Sequence, residues 1–237
     1  MKLLAFETAT EACSVALHVD GEVLERFEIA PRRHAELSLP WAEALLAEAG
    51  ISRRQLDGIA FSRGPGAFTG VRLAIALAQG IALALDRPLV PVSTLQVLAL
   101  QAPAQAQQVL AAIDARMGEI YVGHFQRQGG VLVAEGRERV CAAADVQLPA
   151  GMQVHGVGTG FAAQEGALVR QLATGLQAYD ASALPRAADV LALAVPALAR
   201  GEGVAAEHVE PAYLRDNVAL TLVEQQAARE AKARAGA

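Results

Sequence analysis

Leu4-Ala5-Phe6-Glu7 and Ala111-Ala112-Ile113-Asp114 are one pattern written twice: three apolar residues closed by an acid. Each opens a series of strand-like runs. Residues 2–8 read as a buried strand, 13–19 as a second and 22–29 as a third, with Asp20-Gly21 as a hairpin turn. In the second half Val122 stands where Val15 stands in the first. Strands 119–126 and 131–139 follow, joined at Gly129-Gly130 after a slip of two residues. The first half continues with a helix at 34–49 stopped by Gly50, strand 58–61, helix 69–85, strand 89–92 and a helix from Thr94. Pro40 is tolerated in a first turn and marks a second place where the regular part of helix 34–49 can begin. In the second half Val154 to Gly160 repeats the theme of strand, glycine turn and helix. A repeat of this size limits the chain to two similar lobes, each β-β-β-α-β-α-β-α. With 237 residues, 53% of them hydrophobic, it can fill two such cores. The expected division is 1–104 and 105–217, at the Pro103 and Gln/Ala-rich break, with a helical tail at 218–237.

Two such units in tandem are the architecture of the actin-like (Hsp70 and sugar-kinase) superfamily. By analogy of fold, the first hairpin of each lobe grips nucleotide phosphates and an acid at each first strand orients metal and water. The run Ser62-Arg63-Gly64-Pro65-Gly66-Ala67-Phe68-Thr69-Gly70-Val71-Arg72 suits that expectation. Gly64 and Gly66 permit unusual backbone angles, and Thr69 is placed to cap the following helix. Strand, glycine turn and helix N-terminus together form an anion-binding geometry.

The resemblance becomes specific at Leu4 to Leu17, at Gly64 to Arg72, at Ala111 to Tyr121 and at Glu210-Pro211-Ala212-Tyr213-Leu214-Arg215. These motifs resemble the TsaB (YeaZ) family, over nearly the whole chain to about Asn217. The resemblance implies a duplicated actin-like fold and a non-catalytic subunit in threonylcarbamoyladenosine synthesis on tRNA. It implies a heterodimer with the transferase TsaD, a ternary complex with the ATPase TsaE and a homodimer when TsaD is absent. Contact with tRNA would then be indirect.

The residues argue the same way. Catalytic relatives hold a metal with two histidines at i and i+4; here His34 is followed by Ser38, whose hydroxyl is a poor ligand. No other histidine pair has ligand spacing, so no metal is expected. Glu7 stands where the fold usually has Asp, and its extra methylene moves the carboxylate by roughly 1.5 Å. Glu7, Thr8, Thr10, Gly64, Gly66 and Asp114 are therefore read as a vestigial nucleotide site. ATP or ADP is its candidate ligand, and no cofactor is required by the chain itself. The bland alternatives are that the threonines brace a turn, that Glu7 pairs with an arginine and that Asp114 pairs with Arg116. The expected partner interface is helical. Gly70, Ala74, Ala78 and Ala82 form a small-residue row, Ala76, Gly80 and Ala84 form another, and His34, Leu37, Trp41 and Leu45 lie on the facing helix.

A net charge of −5 disfavours autonomous nucleic-acid binding. Cys13, in a strand-like context, and Cys141, in a helix-like one, read as buried reduced thiols of a cytoplasmic protein. No signal-peptide core opens the chain, and the apolar run 71–85 reads as a buried helix too short to cross a membrane. The enzyme alternative is a stand-alone ATP-dependent kinase or hydrolase of the same superfamily. It is kept open by Glu7, Asp114 and the two glycine turns. A metalloprotease needs ligands that the sequence does not supply.

Overall fold

The structure is a computed structural model that describes residues 1–215; the expected tail at 218–237 lies outside the described residues. The first half forms β1 (Lys2–Glu7), β2 (Ala12–Val19), β3 (Glu22–Ile29), α1 (His34–Glu48), β4 (Gly58–Ser62), α2 (Phe68–Leu85), β5 (Leu89–Val92) and α3 (Thr94–Ala99). Its sheet has the order β3-β2-β1-β4-β5, antiparallel through the meander and parallel from β1 to β5. The second half forms β6 (Gln108–Arg116), β7 (Glu119–Gln128), β8 (Val131–Ala134), β9 (Arg139–Ala142), β10 (Val154–Val157), α4 (Ala163–Leu172), β11 (Leu176–Asp180) and α5 (Ala187–Ala199). Its sheet runs β11-β10-β6-β7-β8, with β9 also on β7. This is the two-lobed, actin-like α/β architecture that the repeat led us to expect.

The repeat is less regular than the sequence suggested. The single strand expected at 131–139 is two strands, because the chain leaves the sheet at 135–138, with Gly136 at φ 81°. That excursion carries Glu138 to the Ser93 hydroxyl at the start of α3. The helix expected after the second meander is missing. A 3-10 turn at Ala143–Asp145 replaces it, and Pro149 and Gly151 follow too soon for a helix. Cys141 lies in strand β9, half-buried, rather than in a helix; both cysteines are free and Cys13 is buried. α1 begins at His34, not at Pro40, which sits inside it. The lost bond to the Glu36 carbonyl is on an exposed turn, where water can replace it.

The lobes are interlocked by an exchange of helices. α3 leaves the first sheet and packs Leu95, Leu98 and Ala99 on Val109, Ala111, Ile113 and Phe125 of the second. α5 returns to the first sheet, with Ala187, Val190, Leu191 and Ala194 on Leu3, Ala5, Ala16 and Ala60. The start of α5 is fixed by groups from β2 and β3. Ser14 Oγ accepts from Ala187 N at 2.9 Å, and Glu25 Oε1 accepts from Ala188 N at 3.0 Å. Glu25 Oε2 takes both Nε and Nη2 of Arg186, at 3.0 and 2.6 Å. A carboxylate against the positive end of a helix is favourable, and here it comes from the other half of the chain.

On the opposite face of the first sheet lie α1 and α2. Gly70, Ala74, Ala78 and Ala82 of α2 are buried, within a core that includes Leu4, Phe6, Ile59 and Phe61. Only 33% of α2 is buried, so it is not the buried helix expected, and at 18 residues it is long enough to cross a bilayer.

Candidate functional site

A cleft of about 980 Å³ opens between the lobes. From the first lobe it is lined by Ala9 and Thr10 of the β1–β2 turn, Arg32, His34 and the start of α2 (Gly66, Phe68, Arg72). The second lobe contributes Ile113, Asp114, Arg116, Tyr121 and Thr159, and residues 212–215 lie along it. Four arginines (Arg32, Arg72, Arg116, Arg215) face two acids (Glu11 and Asp114), a balance that favours an anionic ligand.

Of the nucleotide residues expected from sequence, Thr10, Gly66 and Asp114 line the cleft; Glu7, Thr8 and Gly64 do not. Thr8 is buried, and its hydroxyl donates to Gly70 O at 2.7 Å. Thr10 Oγ1 accepts from Ala12 N at 3.4 Å. The threonines thus brace the turn and its contact with α2. The glycine turn is likewise filled by the chain itself. A Cβ at Gly66 would stand 2.4 Å from Ala9 O, and one at Gly70 only 1.9 Å from Thr8 O. These glycines let the β1–β2 turn and the first turn of α2 touch, and Ala67 N donates to Ala9 O at 2.7 Å. Thr69 does not cap α2; Ala67 is the N-cap residue and Thr69 lies inside the helix.

Among the described residues Glu7 has no arginine partner. It is fully buried; Oε1 accepts from Ala9 N at 2.6 Å, while Oε2 has no hydrogen-bond partner among them. Burial pushes its carboxyl up to about 7 from 4.5, opposed by the nearby Ser62 hydroxyl and by the Ala9 amide. The Ser62 hydroxyl does not meet hydrogen-bond geometry either. Because the folded chain holds this proton more tightly than the unfolded chain, stability falls as pH rises from about 4.5 to about 7. The ionised carboxylate then costs roughly 3 kcal/mol. Glu7→Gln is expected to raise the melting temperature at pH 8, with little change at pH 4.5. A melting-temperature profile against pH for the two chains checks this; parallel profiles would contradict it.

Asp114 is held within its own turn. Its carboxylate accepts from Arg116 N at 2.8 Å and from Arg116 Nη1 at 2.9 Å, as the bland reading of the sequence had it. The two acids of the repeat therefore do not meet: one faces the cleft and the other is buried behind the first turn. His34 Nε2 lies 3.0 and 3.1 Å from the carbonyl oxygens of Thr10 and Ala12. Two acceptors require a proton on that nitrogen, which removes its lone pair from any metal. Ser38 donates to His34 O at 2.7 Å. Among the described residues no three His, Cys, Asp or Glu side chains converge as a metal site.

The expected helical interface needs re-siting. Gly70, Ala74, Ala78, Ala82 and Leu45 are buried in the chain's own core and cannot meet a partner. Leu37 and Trp41 are half-buried. The open face of α2 is the second small-residue row: Ala76, Gly80 and Ala84 are exposed, beside Leu83 at 68% exposure. Leu39, Ala44 and Ala47 are exposed on neighbouring α1. Arg32, Phe68, Arg72, Tyr121 and Tyr213 were not singled out from sequence as cleft residues. Phe68, Arg72, Tyr121 and Tyr213 lay within the motifs that carried the family resemblance, which was the signal available.

Residues 27–222 match the family model described as TsaD: tRNA N6-adenosine threonylcarbamoyltransferase. The tRNA threonylcarbamoyladenosine biosynthesis protein TsaB of Escherichia coli (strain K12) is 44% identical over 227 residues, covering 92% of this chain and 96% of its own length. The protein of the same name from Haemophilus influenzae is 38% identical over 232 residues, covering 92% and 95%. The solved structure of YeaZ from Pseudomonas aeruginosa superposes with a TM-score of 0.83 at 48% identity, covering 90% of this chain and 99% of that one.

Proposed function

Because this chain belongs to the TsaB family, within the wider group matched by the TsaD transferase model, we propose that it is a non-catalytic subunit. It supports TsaD in threonylcarbamoyl transfer to the adenosine beside the anticodon of tRNA. The observation that carries this reading is the open face of α2. An exposed row of Ala76, Gly80 and Ala84, flanked by Leu83, is small enough for another helix to approach closely and carries no charge to oppose it. α1 widens the patch, so two helices from each partner would pack as four.

The cleft supports a non-catalytic role as well. Glu7 is withdrawn from it and Asp114 is engaged by Arg116, so the two acids of the repeat form no free pair to orient metal and water. The chain works by docking and by holding TsaD in its active conformation. Its partners are TsaD in a heterodimer, TsaE in a ternary complex and a second copy of itself when TsaD is absent. It meets tRNA indirectly and acts in the cytoplasm. It requires no cofactor of its own, and ATP or ADP is the candidate occupant of the arginine-lined cleft.

Titration of the chain into purified TsaD, followed by calorimetry, tests the reading: a saturable 1:1 complex is expected, and no heat of binding would overturn it. Those four arginines also favour a second reading, a stand-alone ATP-dependent kinase or hydrolase. Steady ATP turnover by this chain alone would select it.

A further inference from the structure

Residues 209–215 run from the first lobe to the second along the cleft. Val209 and Ala206 are anchored in the core beside α2, and Gln79 Nε2 donates to Ala206 O at 2.8 Å. Beyond Pro211 the chain leaves that core. Ala212 N donates to Arg63 O at 2.8 Å. Arg72 then lies 3.5 Å from the Phe68 ring centroid and 5.6 Å from that of Tyr213, and its Nε donates to the Tyr213 hydroxyl at 2.8 Å. The two rings stack at 6.5 Å. Two residues later the segment reaches the other lobe. Arg215 Nη2 donates to Glu119 Oε2 at 2.6 Å and to Ala115 O at 3.1 Å.

We propose that residues 210–215 are a latch, closed by the Phe68–Arg72–Tyr213 stack and the Arg215–Glu119 pair, that ties the lobes together and controls entry to the cleft. Each fastening is local. Phe68 and Tyr213 are 58% and 54% exposed, and residues 210–215 belong to no helix or strand. A segment held in this way opens by itself, well before the core does. The pivot follows Val209, where burial ends. When the latch opens, the cleft loses the wall formed by Ala212, Tyr213, Leu214 and Arg215, and the lobes lose a bridge. The latch rests on these contacts alone, independently of any docking partner.

Native-state hydrogen exchange on the isolated chain tests it. The Ala212 amide is expected to exchange at least about 10-fold faster than the amides of β1. Tyr213→Ala and Arg215→Ala should each accelerate Ala212 by roughly 10-fold and leave β1 unchanged. Tyr213→Phe, which keeps the ring, should fall between. Control of entry is read from Thr159→Cys, on the far wall of the cleft, in a Cys141→Ser background. Its labelling by a bulky maleimide should speed up by the same factor in Tyr213→Ala. Exchange of Ala212 at the rate of β1, with both shifted together by the substitutions, would show a fixed part of the core and overturn the latch. Faster exchange with unchanged labelling would overturn its control of the cleft.

Discussion

Gly70→Ala is expected to lower the melting temperature by roughly 10 °C, a loss of about 3 kcal/mol. The added methyl would stand 1.9 Å from Thr8 O and 3.5 Å from Ala9 Cα, both backbone atoms of the first turn. A flexible side chain could swing aside; a turn fixed between β1 and β2 cannot. The same contact is secured from the other side by the Thr8 hydroxyl, which donates to Gly70 O. Relief therefore requires α2 to move away from the sheet, opening the core beneath Ala74 and Ala78. Gly80→Ala on the same helix has the opposite sign. Among the described residues nothing lies within 4 Å of a Cβ there, so alanine gains up to about 1 kcal/mol of helix propensity. Thermal denaturation of the two variants decides the matter. Equal shifts would mean that Gly70 is not held against the first turn.

Gly80→Glu is the companion experiment for function. The position is exposed and open, so the fold should keep its melting temperature within a degree or two. A docked helix would meet the carboxylate where it needs a flat, apolar surface. Burying that unpaired charge costs at least about 2 kcal/mol, a weakening of roughly 30-fold in the TsaD titration and in self-association. Ala76→Glu should act likewise. A charge at Ala78, one of the row that the sequence assigned to the interface, instead tests the core, because Ala78 is fully buried. Full-strength docking by a folded Gly80→Glu chain would remove α2 from the interface.

That misplacement shows what the sequence could and could not convey. Both hairpins were legible, since Asp20-Gly21 and Gly129-Gly130 demand positive φ and have it. The strand–glycine turn–helix units were legible too, because apolar runs and turn residues are local signals. The two small-residue rows of α2 were not distinguishable, because alanine and glycine mark close approach without saying to what. The exchange of α3 and α5 between the sheets was hidden for a related reason: an apolar helix face records that it is buried, not by which sheet. Glu7 misled through its position at the end of a strand. The pleat turns it with Leu3 and Ala5 towards the α5 side, away from the cleft, and no local pattern reveals which side is which. The broken third strand of the second half followed from Gly136, one glycine among many in a polar stretch.

On the proposed function, this chain contributes a docking surface rather than chemistry. Reconstitution by omission tests it most directly: TsaD, TsaE, ATP, threonylcarbamoyl-adenylate and unmodified tRNA are combined with and without this chain, and modified adenosine is measured. Modification is expected to collapse without the chain, to return with wild type and with Asp114→Asn, and to stay lost with Gly80→Glu. Modification that proceeds unchanged when the chain is left out would contradict it.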